Sequence, residues 1–550
     1  MAASVKYNNT DAVDFVIVGS GAAGGVLAKE LSSNGFRVIV LEQGPRIESG
    51  QFEHDEYGSF NLNALTNNPH LQPATFRDSE NVKARIKPLI RYGRLVGGGS
   101  VHFTSNYWRF HEIDFVERSR KSSVPGASLE DWPITYSDLE PYYTKAEWEL
   151  GVSGLAGASP FDPPRSKPYP LPPLPIKSSG VLMERGAKKL GWHAFPAPLA
   201  ILSQPYQGRH ACMHCGFCEA FGCEWGAKSS TLATVIPIAE RTGRCEIRPN
   251  SYVSQIDVNV QGRVTGVVYF DKQKRQQRQK AKSVILCANG AETPRLLLIS
   301  KSKEFPDGLA NSSGLVGKYL MFDSAAAMSA GVFEHPLNDY KSVHVSRIIH
   351  DFYEIDPKHG VFGGGGLDGR FDLYPAGFGL RGLAPSMPQW GAEFKRNLRD
   401  FPRMMYMLAH NTALAVETNT ITLDPEVKDA WGLPAIRVTY RDHHETMKTV
   451  QFMQDREMEL LDAAGAQKSW RLPFEDPEYA VHLLGTCRMG NDPKKSVVNA
   501  DHRSHDVQNL FICDGSSFVT SGRNQPTATI QALAFRAAER ITALAKKNEI

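Results

Sequence analysis

The hydrophobic pattern changes period within the first fifty residues. Phe15 to Val18 is an unbroken apolar run. Gly19-Ser20-Gly21-Ala22-Ala23-Gly24 follows and turns into a helix, and a second apolar run, Val38 to Leu41, ends in Glu42. Short unbroken runs of this kind predict strands buried on both faces, and the intervening helix makes them a parallel βαβ unit. Residues 245–290 alternate between strand-like runs and turns, and 284–300 reads as a buried strand, a Gly turn and a helix. Residues 325–440 carry short strand-like runs, with Gly363 to Gly366 among their turns. No helical period runs through them, which predicts an antiparallel sheet. Met447 to Gly465 is helical in pattern, and a closing helix spans Pro526 to Lys546. The Pro-rich stretch 160–175 predicts an extended surface connection.

The length, 550 residues, exceeds a single core and predicts two or more domains. A content of 41% hydrophobic and 22% charged residues argues against long disordered regions. The net charge of +3 provides no field for nucleic acid or an anionic membrane surface. The basic run Lys272 to Lys282 sits between strand-like segments and reads as a solvated hairpin connection. No apolar stretch reaches the ~18 residues of a membrane-spanning helix. The first ten residues lack a signal peptide's apolar core, so export would depend on a partner.

The glycine pattern of the βαβ unit points to a dinucleotide. Gly19 permits a tight turn, Gly21 lets backbone approach a pyrophosphate, and Gly24 lets helix and strand pack closely. The helix N-terminus favours phosphate, and Glu42 stands at the position that accepts hydrogen bonds from a ribose.

Four segments together resemble the glucose-methanol-choline (GMC) oxidoreductases, FAD enzymes that oxidise alcohols. They are the motif just described; Gly93-Arg94-Leu95-Val96-Gly97-Gly98-Gly99-Ser100; His482-Leu-Leu-Gly-Thr-Cys-Arg-Met-Gly490; and Asp514-Gly515-Ser516 with Asn524-Gln525-Pro526-Thr527. Asp131-Trp-Pro-Ile-Thr-Tyr, Lys167 to Pro175 and a cysteine cluster make the chain most similar to the large subunits of bacterial sugar dehydrogenases. The resemblance implies an α/β fold: a Rossmann-like FAD domain and a substrate domain with a mainly antiparallel sheet and helices. The expected FAD domain is assembled from residues 1–115, 210–325 and 478–550, and the substrate domain from 116–209 and 326–477.

Oxidising an alcohol by hydride transfer requires a base for the hydroxyl proton, and imidazole suits the task because it titrates near neutrality. The resemblance assigns His482 as that base and Asn524 as the partner that holds the substrate oxygen. It places Asp514 and Gly515, with Pro526 and Thr527, against the flavin, and Arg94, Gly97, Gly98 and Ser100 near the pyrophosphate or flavin. His102 stands where some relatives bind FAD covalently; an ordinary pocket-lining histidine is the alternative.

Cys212, Cys215, Cys218 and Cys223 place four thiols within twelve residues. The spacing suits an iron–sulfur cluster (three or four irons), with zinc, disulfides and free thiols as alternatives. The expected function is FAD-dependent oxidation of a sugar or glycoside hydroxyl. Electrons would pass through the cluster to a cytochrome c-type acceptor, with a small accessory subunit as further partner. An oxidase or a non-redox FAD lyase of the same fold is the alternative. The expected location is the periplasm or the membrane surface, reached through a co-exported partner, or else the cytoplasm. Trp390, Tyr340 and Gln389 could touch a pyranose, although packing explains each as well.

Overall fold

The apolar runs pair as parallel strands. The computed structural model describes residues 5–550 apart from 62, 122, 323–326, 372, 382, 384–385 and 474–479. In it Val13–Val18 lies between Val38–Leu41 and Gln276–Leu286. Cys245–Arg248 extends the sheet on one side and Leu510–Ile512 on the other, all in parallel. Val16, Ile17, Val38, Ile39, Val284 and Ile285 are wholly buried, which is why these strands show no alternation. Each such side chain contributes about 1.5–3 kcal/mol on burial.

Gln276–Leu286 changes partners along its length. Its C-terminal half runs parallel to Val13–Val18, while Gln276 to Lys280 pairs antiparallel with Val264–Phe270, which pairs in turn with Tyr252–Val258. The basic run therefore differs from the expected connection: only Asp271 to Arg275 turns, and the rest is strand. Gln279, Ala281 and Ser283 point inward, and Lys280 and Lys282 point to solvent.

Helices Ala22–Ser33, Tyr136–Leu150 and Thr527–Lys546 pack together over this sheet. Leu139, Tyr143, Ala146 and Leu150 form the inward stripe of the middle one, and a reciprocal Thr135–Asp138 capping box starts it. This helix comes from the 116–209 segment, yet its stripe completes the core of the parallel-sheet layer.

A second, wholly antiparallel sheet has the order Lys468–Arg471, Ala327–Val332, Met404–Asn411, Gly365–Arg370, Arg347–Ile349, Ala194–Pro196. Helices His444–Ala464 and Ser178–Leu190 cover one face of it. A smaller sheet joins early and late chain, with Ala74–Arg77 parallel to Pro434–Thr439. The expected boundaries near 325 and 477 lie outside the described residues. Among the described residues no helix is long and apolar enough to cross a membrane.

Candidate active site

The turn after Val13–Val18 is built so that backbone, not side chain, faces the space beyond it. Gly19 has φ +95°, and a Cβ there would lie 2.5 Å from the Cys287 carbonyl oxygen. A Cβ on Gly24 would lie 2.0 Å from the Gly19 oxygen, so this glycine sets the contact between helix and strand. Gly21 caps helix Ala22–Ser33, whose first turn holds no acidic residue, leaving its positive end unopposed. The second glycine loop is tied onto the first: Gly97 N donates to Ser20 Oγ at 3.0 Å, and Ser100 Oγ donates to Gly97 O at 2.6 Å. Glu42 accepts from Ser20 N (3.1 Å), Ser20 Oγ (2.8 Å) and Gly44 N (3.0 Å), and burial raises its carboxyl. A carboxylate has about four acceptor positions, so one stays available on the cavity side.

A cavity of about 1110 Å³ opens from this cradle. Gly19, Gly21, Ala22, Ala23, Glu42, Gly98, Ser100 and His102 line one end of it. Asp514, Gly515, Pro526 and Thr527 line it too, whereas Gly24, Arg94 and Gly97 stand behind the wall. An unopposed helix N-terminus, glycines with no side chain to spare room for, and a ribose-side acid are what an adenine dinucleotide such as FAD requires, so the expected cofactor fits. His102 presents a buried Nε2 with no hydrogen-bond partner, and burial, with Lys228 nearby, pulls its pKa down to about 4. The ring is therefore neutral near pH 7.

The segment after His482 is laid along the Asp514 turn. Gly485 N donates to Gly515 O (3.0 Å) and Cys487 N to Ser516 O (2.7 Å). Asp514 is occupied structurally: it accepts from Asn289 N (3.0 Å), Thr293 Oγ1 (2.6 Å) and Ser516 N (2.8 Å), joining the end of Leu510–Ile512 to helix Asn289–Ile299. Its backbone and that of Gly515 form wall. His482, at φ +54°, turns its ring into the cavity.

Across the cavity lies one face of the antiparallel sheet. The register Gly366↔His410, Asp368↔Leu408, Arg370↔Tyr406 sets these residues on that face, and Arg370, Tyr406, Leu408 and His410 line the cavity. The rings of His410 and His482 are 6.4 Å apart, centroid to centroid.

The expected pair of His482 and Asn524 is not what the structure brings together. Asn524 is 1% exposed, donates from Nδ2 to the Arg109 carbonyl at 3.1 Å, and does not line the cavity. Gln525 lines it instead and contacts His410 through Nε2. The chain bends at Arg523 and Asn524, and Pro526 caps the helix that follows. Of the two neighbours it is Gln525 that lines the cavity. Gln525, His410 and Arg370 were missed in the sequence, although the position directly before Pro526 was a usable signal for the first. Of the residues named for sugar contact, Gln389 lines the cavity, Trp390 is 84% exposed, and Tyr340 stacks on Phe401 at 5.1 Å.

The four cysteines also depart from expectation. Cys212, Cys215, Cys218 and Cys223 border one small void of about 20 Å³, room for a water but not a cluster. All four are unbridged, and among the described residues no three His, Cys, Asp or Glu side chains converge to hold a metal ion. Burial pushes the Cys212 thiol up to about 11 and the Cys218 thiol up to about 12, because Cys218 packs into apolar core beside Leu199 and Ile201. As arranged, the Cys212 and Cys218 thiols are protonated, and the four do not form a ligand shell. The loop nonetheless touches the large cavity: Glu219 and Ala220 line it, and Ala220 N donates to His102 O at 2.8 Å.

Comparison with known proteins agrees with this fold. The chain is 33% identical over 540 residues to the 2-methyl-1,2-propanediol dehydrogenase of Mycolicibacterium austroafricanum, covering 97% of this chain and 96% of that one. It is 30% identical over 559 residues to the fructose dehydrogenase large subunit of Gluconobacter japonicus, covering 97% and 98%. The fold matches that of pyridoxine 4-oxidase from Mesorbium loti with a TM-score of 0.64 at 18% identity, over 96% of this chain and 99% of that one. The family models described as GMC oxidoreductase match residues 13–321 and 415–534, and the chain belongs to that family.

Proposed function

We propose that this GMC oxidoreductase is an FAD-dependent dehydrogenase that oxidises a hydroxyl of a sugar, polyol or glycoside to a carbonyl and delivers the electrons to an acceptor other than oxygen. The observation that carries the reading is His482 on the wall of the cavity whose other end is the dinucleotide cradle. Bound in that cradle, FAD supplies a two-electron hydride acceptor. His482 takes the hydroxyl proton. Gln525, which contacts His410, whose ring neighbours that of His482, donates from its amide to the oxygen as negative charge develops there, the task first given to Asn524. The sheet face and the buried walls keep water from the reacting carbon.

Three finer parts belong to the same proposal. His102 is the point of a covalent link to the flavin, supported by its place on the cavity wall and by its neutral ring with an unpartnered Nε2. The cysteine segment holds an iron–sulfur centre once its thiols close on iron; its contact with the cavity wall supports this, and its present spacing does not. A small accessory subunit, a cytochrome c-type acceptor and a location in the periplasm or at the membrane through that subunit are supported by the relative named as a large subunit. The alternative is an oxidase, an activity named for a protein of the same fold.

The test is the visible spectrum of the purified protein under anaerobic conditions as sugars, polyols and glycosides are added, followed by air. Bleaching of the flavin with slow return of colour in air is expected. Rapid return would make the protein an oxidase, and no bleaching by any alcohol would remove the proposed activity. Iron and acid-labile sulfide assays on the same sample decide the cluster.

A further inference from the structure

The wall opposite the cradle carries a polar set of which the reaction as derived uses one group, the Gln525 amide N–H. Asp368, on the cavity-side face of Gly365–Arg370, is wholly buried. It accepts from Arg370 Nε at 2.6 Å and from Arg370 Nη2, which makes the pair bidentate. His410, on the neighbouring strand, sets Nε2 3.6 Å from Asp368 Oδ2 and 3.4 Å from Arg370 Nη2. The same ring meets the Gln525 amide. Arg370 Nη1 lies 3.9 Å from Glu219 Oε2, on the cysteine loop. Gln525 is 4% exposed, lines the cavity, and its Oε1 has no hydrogen-bond partner among the described residues. A buried acceptor without a partner is costly unless a ligand supplies a donor.

Two features define what this ledge can hold. First, it is rigid: strand register, a bidentate ion pair and a carboxylate fix His410, and His410 fixes Gln525. A fixed array of donors and acceptors beside the base His482 recognises a hydroxyl other than the one being oxidised. Second, its charge is not cationic. Arg370 faces two carboxylates, Asp368 and Glu219, so the ledge offers no uncompensated positive charge to an anion.

Resting on the function proposed above, we infer that His410, Arg370 and the Oε1 of Gln525, whose N–H serves the reacting oxygen, determine specificity by holding a second, neutral hydroxyl of the substrate. The enzyme then selects uncharged polyhydroxy compounds over simple alcohols and over hydroxy acids. Loss of one such contact leaves buried polar groups unpaired, so analogues lacking the second hydroxyl are rejected by at least about tenfold in kcat/KM.

The experiment compares rates of flavin reduction in the full-length holoenzyme for two matched sets: propanol, propylene glycol and glycerate; and hexanol, glucitol and gluconate. The expected order in each set in which any member reacts is polyol first, by at least about tenfold over the alcohol and over the acid. In His410→Ala the ratio of polyol to alcohol collapses toward one, whereas a purely structural role would lower both together and leave the ratio intact. Glu219→Gln raises the relative rate on the acid. The inference is overturned if alcohol and polyol react equally, if the acid is preferred, or if the His410→Ala ratio equals that of the wild type. Flavin reduced by no member of either set, nor by any sugar, overturns the proposed function and this inference together. Reduction by sugars alone is scored on glucose against gluconate, with the same required order.

Discussion

Asn524 and Gln525 are adjacent in the chain, yet of the two it is Gln525 that reaches the cavity. Asn524 Nδ2 binds the Arg109 carbonyl, while Gln525 faces His410 and the cavity. The two should therefore fail differently. Asn524→Ala removes a buried donor and should cost about 1–3 kcal/mol of stability, a loss of about 1–3 °C in Tm for a chain of 550 residues. Gln525→Ala should lower Tm by a similar amount, since Gln525 too is buried and bonded to His410, but it should slow flavin reduction by about 100- to 1000-fold, the usual effect of removing a donor to a developing oxyanion. Thermal melts and rapid-mixing absorbance on both variants check this. A slow Asn524→Ala variant beside an unimpaired Gln525→Ala variant would restore the first assignment.

His482→Ala should bind FAD normally and reduce it at least about 100-fold more slowly, since the base is lost and the cradle lies at the other end of the cavity. The ratio of flavin to protein absorbance, read beside the reduction rate, separates loss of chemistry from loss of cofactor. Near-normal reduction would take His482 out of the mechanism.

What could be read from the chain alone depended on how locally each feature is determined. Phe15 to Val18 with Gly19, Gly21 and Gly24 specify strand, turn and helix within a dozen residues, and the structure follows them closely. Thr135, Asp138 and Leu139 to Leu150 mark a helix just as locally, but which layer it joins depends on distant partners such as Leu533. His410 could not be seen as a site residue, because Met404–Asn411 is buried on both faces and no alternation reveals which face meets the cavity. The choice between Asn524 and Gln525 turned on a single step along the chain at a bend. The cysteine spacing suggested ligands, yet spacing does not say where the thiols point, and Cys218 points into apolar core.

The loop that carries Asn524 and Gln525 is anchored by Arg523, buried between Asp114 and Glu117, with Nη2 2.9 Å from Glu117 Oε1. Burial, opposed by Arg523, raises the Glu117 carboxyl from 4.5 to about 7. The folded protein thus keeps this proton to higher pH than the unfolded chain does. Its contribution to stability is present in full below about 4.5 and is lost as pH rises through about 7. Glu117→Gln should remove that dependence, so the difference in Tm between variant and wild type should change steadily from pH 4.5 to pH 7 and level off above it. A constant difference across that range would show that Glu117 titrates normally.

Gly21 and Gly98 face each other across the cradle and should respond in opposite ways to one added methyl group. A Cβ on Gly98 would lie 2.8 Å from the Gly21 Cα, and Gly98 has φ +53°, so Gly98→Ala strains the protein itself. A Cβ on Gly21 meets nothing closer than 3.9 Å and would project where the pyrophosphate must approach. Gly98→Ala should therefore lower Tm even in the apoprotein. Gly21→Ala should leave the apoprotein's Tm within about 2 °C of wild type while weakening FAD binding at least about tenfold. Melts of deflavinated protein, with titration of FAD followed by flavin fluorescence, measure both. If Gly21→Ala bound FAD as tightly as wild type, the phosphates would not pass over Gly21, and the helix N-terminus at Ala22 would lose its assigned role.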